Sequence, residues 1–209
     1  MPICPLCQNI STPFYKDEFY ECVCCGGIFR PKEKLLDNQK EKERYESHTN
    51  DSNDLGYQNF VSPITNTVLD EYKKDDLGLD FGCGKDSPIV KVLRQSEYKI
   101  FEYDPYFFDD KKLLEEKYDY IACCEVIEHL KKKKKEFELL KSLLKEKSTL
   151  YLMTGIYRDN IDFSKWWYKN DLTHVFIYRE KTFEWIKEEF GFKNMFIEKN
   201  FISFSNRKE

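Results

Sequence analysis

Leu79-Asp80-Phe81-Gly82-Cys83-Gly84-Lys85-Asp86-Ser87-Pro88 sets a short apolar run directly before a glycine turn and the opening of a helix. Glycines at that point let the backbone approach a ligand closely. The third glycine of the dinucleotide fingerprint is missing, which disfavours a nicotinamide cofactor. The next acid at a strand end is Asp104, 20 residues beyond Gly84 and behind Ile100-Phe101-Glu102-Tyr103. A carboxylate placed there can accept both hydroxyls of a ribose. Each piece has a plainer alternative: an ordinary strand-to-helix turn at Gly82 and Gly84, and an ordinary turn start at Asp104-Pro105.

Outward from this stretch, short apolar runs alternate with amphipathic runs of helix length, the pattern of an α/β domain. Strands are expected over 77–81, 99–103, 118–124 and 149–153, and helices over 87–96, 131–145 and 181–190, the last ended by Gly191. The stretch 193–205, rich in Phe and Ile and broken near Glu198 and Asn200, suggests one or two final strands. On the other side, 31–46 reads as a charged connector helix, and 55–72 as a second helical stretch interrupted by Pro63. The resulting division is 1–30, 31–75 and 76–209.

With 209 residues the chain can bury one sizeable core and carry a small appendage. Its net charge of −4 supplies no general attraction for phosphate backbones or anionic membranes; nucleic acid is not excluded, only unhelped. No apolar stretch approaches the ~20 residues needed to span a bilayer, and the expectation is a cytoplasmic protein.

Five of the eight cysteines fall in the first 25 residues. Cys4-Pro5-Leu6-Cys7 and Cys22-Val23-Cys24-Cys25 form two knuckles separated by 14 residues, one short of the usual four-cysteine zinc spacing. Two residues between thiolates let both face one ion, and Gly26-Gly27 permits the turn behind the second pair. Cys4, Cys7, Cys22 and Cys25 are therefore the expected ligands of a structural Zn2+, with Cys24 spare; unliganded thiols or a redox pair are the alternatives.

Three motifs in order, Asp80-Phe81-Gly82-Cys83-Gly84, Glu102-Tyr103-Asp104-Pro105, and 118–130 with Glu125-Val126-Ile127-Glu128-His129-Leu130, resemble the class I S-adenosylmethionine-dependent methyltransferases. The resemblance covers roughly 77–205. It implies a Rossmann-like sheet flanked by helices, binding S-adenosyl-L-methionine over the carboxyl ends of its strands. Asp80, Gly82, Cys83 and Gly84 would then lie on the methionine side, Asp104 and Pro105 at the ribose, and Cys123, Cys124 and Glu125 on the methyl-transfer side. Only 13 residues separate Asp104 from Tyr118, too few for the helix and strand usual in that family, so an abbreviated strand region is expected there. A narrower resemblance, in Arg44-Tyr45-Glu46-Ser47-His48-Thr49-Asn50, in Gly56-Tyr57 and in 166–175, is to a bacterial subfamily bearing an N-terminal four-cysteine zinc ribbon.

Methyl transfer is an in-line displacement, so alignment and removal of a proton are what the protein must supply. His174, His129 and Glu125 are the candidate catalytic residues, His174 first, although Asp171-Leu172-Thr173-His174 also suits simple loop capping. Glu125, Glu128, His129 and His174 resemble the divalent-metal ligands of methyltransferases acting on RNA 3′ ends and on quinone-type catechols. Trp166-Trp167-Tyr168 would stack on a planar substrate or pack a lid, and the lysine run 131–135 reads as a solvated helix start. The expected function is an O- or N-methyltransferase acting on a small-molecule acceptor. An RNA methyltransferase gripping nucleic acid with its ribbon and a non-catalytic ribbon adaptor are the alternatives.

Overall fold

A computed structural model of the chain describes residues 1–46 and 51–207; 47–50, which include His48 of the subfamily motif, lie outside the described residues. The N-terminal segment forms β1 (Ser11–Tyr15), β2 (Phe19–Cys22) and β3 (Ile28–Phe29). Lys16 and Asp17, both at positive φ, make the tight turn between β1 and β2 that the right-handed twist of the strands favours. Helices α1 (Asn38–Glu46) and α2 (Leu55–Glu71) follow. In α2, Pro63 lacks the amide that would reach Asn59, and the Ser62 hydroxyl donates to that carbonyl instead at 2.7 Å, so the helix runs through the proline.

The body then alternates: β4 (Leu77–Phe81), α3 (Pro88–Gln95), β5 (Lys99–Tyr103), β6 (Tyr118–Cys124), α4 (Lys133–Ser142), β7 (Leu144–Met153), β8 (Phe176–Ile177), α5 (Glu180–Glu189), β9 (Asn194–Glu198) and β10 (Phe201–Ser205). Six strands form one sheet in the order β5-β4-β6-β7-β10-β9. The first four are parallel, β10 runs antiparallel between β7 and β9, and β9 therefore runs in the same direction as the first four. Alternation along the strands sends side chains to two faces. Tyr120, Ala122, Tyr151 and Met153 pack with Val61, Ile64 and Val68 of α2 and Ile89, Val90 and Leu93 of α3. Ile121, Cys123, Leu150 and Leu152 pack on the other face with Phe137 of α4, Phe183 and Ile186 of α5, and the N-terminal Cys4, Leu6, Cys22 and Cys25.

The α/β Rossmann-like fold expected from the sequence is present, and the shortened region after Asp104 holds only a 3-10 turn, Lys111–Leu114. Among the described residues no strand lies beyond β5 in this sheet. The expected helix over 131–145 is shorter, because Leu143 and Leu144 are buried and β7 begins at Leu144 instead of near 149. Residues 145–148 bulge between the pairs Tyr118–Leu144 and Tyr120–Thr149. The connector over 31–46 is a 3-10 turn at Lys32–Lys34 followed by α1 rather than one helix.

Strand β8, unforeseen in the sequence, lengthens the N-terminal sheet to β1-β2-β3-β8 and so joins the cysteine-rich segment to the catalytic body. The junction needs a glycine: a Cβ at Gly27 would stand 2.1 Å from the Phe176 ring. Phe176 is fully buried, stacked on Phe29 and packed on Tyr178, and cannot swing away. Gly27→Ala is therefore expected to destabilise the chain by about 1–3 kcal/mol, seen as a lowered urea midpoint; an unchanged midpoint would show that the junction has room to spare.

Candidate active site

The end of β4 opens into the glycine turn. Gly82 and Gly84 both have positive φ, and a Cβ at Gly82 would come within 2.5 Å of Val126. The turn is pinned by the Gly82 amide donating to Tyr103 O at 2.7 Å and the Gly84 amide donating to Asp104 Oδ2 at 3.1 Å. Asp104 Oδ1 accepts from the Tyr106 amide at 2.8 Å. The Phe107 amide donates to Oδ1 as well, at 3.3 Å, so Oδ2, which accepts only from Gly84, is the oxygen left able to take a ligand hydroxyl. Asp80 lies beneath, buried, and accepts from the Ser87 hydroxyl at 2.5 Å, while Ser87 also caps α3 through Val90 N.

The end of β6 supplies the opposite wall. Glu125 adopts the left-handed region with φ 51°, a costly conformation for a non-glycine residue, and its amide donates to Met153 O at 2.8 Å. Burial and then the neighbouring Glu128 push its carboxyl up to about 10. Glu128 is fully buried; Tyr168 OH donates to its Oε1 at 2.6 Å and Thr154 Oγ1 to its Oε2 at 3.0 Å. His129 Nδ1 lies 3.0 Å from Thr173 O, and His174 Nδ1 lies 2.8 Å from Tyr168 O. A carbonyl only accepts, so both Nδ1 atoms carry the proton and both Nε2 lone pairs stay open. The two rings are 4.8 Å apart. One ligand atom each from Glu128, His129 and His174 falls within 4.8 Å of the others, and Glu125 is outside that set.

One cavity of about 650 Å³ runs from Gly82, Cys83, Gly84, Asp104 and Pro105 past Cys124 and Glu125 to His129 and His174. Of the residues expected at the site, Asp80, Cys123 and Glu128 do not line this cavity: Asp80 is buried beneath the glycine turn, Cys123 packs in the core, and Glu128 is buried behind the wall. Sequence reasoning missed its roof, α1, whose Tyr45 packs edge-on against His129 at 5.5 Å and against Tyr106 at 5.6 Å. Arg44 of the same helix pairs with Asp171 at 2.9 Å. It also missed the roles in the aromatic stripe: Tyr168 holds Glu128 from within, Trp166 stacks on Tyr168, and Trp167 is 69% exposed at the cavity rim. No sequence spacing marks Tyr168, because its partner Glu128 is 40 residues away.

The lysine run is not wholly a solvated helix start. Lys133 is fully buried, with Nζ 2.7 Å from Ile127 O, 2.6 Å from Leu130 O and 3.3 Å from Glu128 O. Burial pushes its ammonium down to about 7, yet three carbonyl partners call for three N–H bonds, which only the protonated form has. Away from the cavity, the Sγ atoms of Cys4, Cys7, Cys22 and Cys25 all lie within 4.8 Å of one another, with Cys24 outside the group. Cys4 Sγ and Cys25 Sγ are 3.7 Å apart, and Cys7 Sγ and Cys22 Sγ 3.2 Å.

Desolvation pushes Asp80 up to about 7. Between the ordinary carboxylate range and pH 7 the folded chain therefore holds a proton that the unfolded chain has lost. Its contribution to stability falls as pH rises through that window and levels off above it, by at most about 1.4 kcal/mol per pH unit. Urea unfolding at pH 5 and pH 8 should show the wild type losing more stability than Asp80→Asn; parallel losses would contradict a buried, titrating Asp80.

Among solved structures, the chain superposes on a SAM-dependent methyltransferase from Archaeoglobus fulgidus with a TM-score of 0.53, 19% identity, and coverage of 78% of this chain and 77% of that one. A phosphoethanolamine N-methyltransferase of Haemonchus contortus in complex with S-adenosyl-L-methionine gives 0.55 at 13% identity, covering 82% and 47%. Human N-acetylserotonin methyltransferase in complex with SAM gives 0.53 at 11%, covering 81% and 56%. The chain spans about half the length of the last two, and at these identities the likeness is one of fold. No protein of curated function matches it in sequence. No helix among the described residues is long and apolar enough to cross a membrane. Residues 55–195 match the family described as a methyltransferase domain, and because that match takes in more than half of the chain, the protein belongs to that family.

Proposed function

We propose that this chain transfers the methyl group of S-adenosylmethionine to an oxygen or nitrogen of a small-molecule acceptor. The observation that carries the proposal is the single cavity joining the Gly82–Gly84 turn and Asp104 at one end to His129 and His174 at the other. Gly82, Cys83 and Gly84 would present backbone to the methionine part of the cofactor, Asp104 beside Pro105 would accept from the ribose, and Cys124 and Glu125 would border the methyl. The net charge of −4 favours a small acceptor over a polyanion. Neighbours of like fold named for N-acetylserotonin and phosphoethanolamine point the same way. Family membership and the intact glycine turn with Asp104 favour an enzyme over an adaptor.

At the acceptor end, Glu128, His129 and His174 have the donor set and orientation of a divalent-cation site, with Glu125 beside them. Each histidine gives Nδ1–H to a backbone carbonyl and keeps Nε2 for a ligand, the outer-shell arrangement usual for metal-binding imidazoles. Such a cation, when bound, lowers the pKa of an acceptor hydroxyl and orients it. The same open Nε2 suits His174 to take the acceptor proton directly, the second reading. Tyr168 and Thr154 hold the Glu128 carboxyl group in place in either case.

Cys4, Cys7, Cys22 and Cys25 would hold a structural Zn2+. A tetrahedral ion with Zn–S of about 2.3 Å separates its sulfurs by about 3.8 Å, close to the 3.7 Å between Cys4 and Cys25. Four thiolates fill the coordination sphere and leave no position for catalysis.

Calorimetric titration with S-adenosylmethionine and S-adenosylhomocysteine should give micromolar binding, weakened at least about tenfold by Asp104→Ala, the loss expected for charge-assisted hydrogen bonds. Absence of binding to the wild type would sink the methyltransferase reading. Elemental analysis should find one zinc per chain, lost in Cys25→Ser. Electron paramagnetic resonance should show one Mn2+ bound by the wild type and none by His174→Ala. If S-adenosylmethionine binds and Mn2+ does not, His174 acts as a base and not as a ligand.

A further inference from the structure

Lys133 is a cation in the wrong place for a surface lysine run. It is wholly buried, and among the described residues no carboxylate is paired with it. Two of the three carbonyls it serves have other donors and do not themselves require it. Tyr178 OH also serves Ile127 O at 2.9 Å, and the amides of Val175 and Phe176 also serve Glu128 O at 3.1 and 3.2 Å. An apolar side chain of equal length would deprive only Leu130 O of this donor. Burying an ammonium is costly unless opposite charge stands near. The rings of Phe176 and Tyr178 lie 5.0 and 5.7 Å from its Nζ and pack in one buried cluster with Cys4 and Cys25, and the negative groups acting on the ammonium are Glu128, then Glu136, then the Cys4 thiolate. Cys4 is one of the four clustered cysteines, and four thiolates on a divalent ion keep a net double negative charge.

We propose that Lys133 is a positioning residue that couples metal binding at the four cysteines to the order of the Glu128–His129 turn. The metal–thiolate cluster adds its negative charge to those of Glu128 and Glu136 around the ammonium, and the ammonium holds the turn through the carbonyls of Ile127, Glu128 and Leu130. The proposal rests on reading the cysteines as a metal site; it needs neither the methyl acceptor nor the second cation. A separate route runs from β3 to β8, where Arg30 N donates to Val175 O at 3.0 Å and the Arg30 guanidinium to Lys169 O at 2.6 Å. That route reaches His174 without Lys133 and touches the turn at Glu128 O through the Val175 and Phe176 amides, so the share carried by Lys133 is the part of the effect on the turn that replacing Lys133 removes.

Amide hydrogen exchange is measured on the full chain, metal-free and with one equivalent of Cd2+, a thiophilic ion that selects thiolates, in wild type and in Lys133→Met. Cadmium should slow exchange in 126–131 at least about fivefold in the wild type, a modest coupling, and much less in Lys133→Met. Exchange in 173–178 should slow in both, through β3 and β8. Equal slowing of 126–131 in the two proteins, or none in the wild type, overturns the proposal. If Lys133→Met does not fold, the side-chain nitrogen resonance of Lys133 in the wild type replaces it: cadmium should shift that signal, and a signal that does not move overturns the coupling. Failure of the metal reading is a different result, namely no cadmium–thiolate absorption on titration, and it removes the proposal together with that reading.

Discussion

Glu128 is the residue on which the candidate site depends. A fully buried carboxylate is tolerable only when hydrogen-bonded and faced by positive or donor groups. Here the donors are Thr154 at the end of β7 and Tyr168 in the following loop, and the His129 ring lies alongside with Nε2 4.0 Å from Oε1. The backbone carbonyl of the same residue accepts from Val175 and Phe176 at the start of β8. One residue therefore ties the sheet, the long loop 154–175 and the strand shared with the cysteine-rich segment. Moving any of these moves both histidines.

This arrangement also gives the N-terminal segment a physical role. A knuckle of short strands without an aliphatic core of its own packs Cys4, Leu6, Cys22 and Cys25 into the same cluster as Ile127, Phe176 and Tyr178. The cysteines belong to the inner wall behind the histidine-bearing loop, on the side away from the cavity. A metal held by these cysteines would brace the catalytic body from behind, a place suited to a filled thiolate tetrahedron.

Much of this was legible in the sequence because it is local. The glycine turn at Gly82 and Gly84, the strand end at Asp104 and the cysteine knuckles each reside in a few consecutive residues, with a spacing set by strand, turn or metal geometry. The shortened region after Asp104 followed from chain length alone. What was not legible is long-range. Tyr168 reaches Glu128, Arg44 reaches Asp171 across 127 positions, and β8 is two residues long and exists only because β3 lies beside it. Lys133 read as surface because a lysine run normally is; its burial follows from Phe176 and Tyr178 closing over it, which no window along the chain contains. The start of β7 was misplaced for a related reason, since Leu144 is drawn into the sheet by Tyr118 against its helix-forming neighbours.

The most direct test of the account is a crystal structure of the protein grown with S-adenosylhomocysteine and Mn2+, with anomalous data collected for manganese and zinc. The account predicts the ribose hydroxyls on Asp104, the homocysteine tail over Gly82 to Gly84, a zinc peak among Cys4, Cys7, Cys22 and Cys25, and a manganese peak between His129 Nε2 and His174 Nε2. Cofactor density elsewhere, or a cavity that stays free of it at saturating ligand, would contradict it.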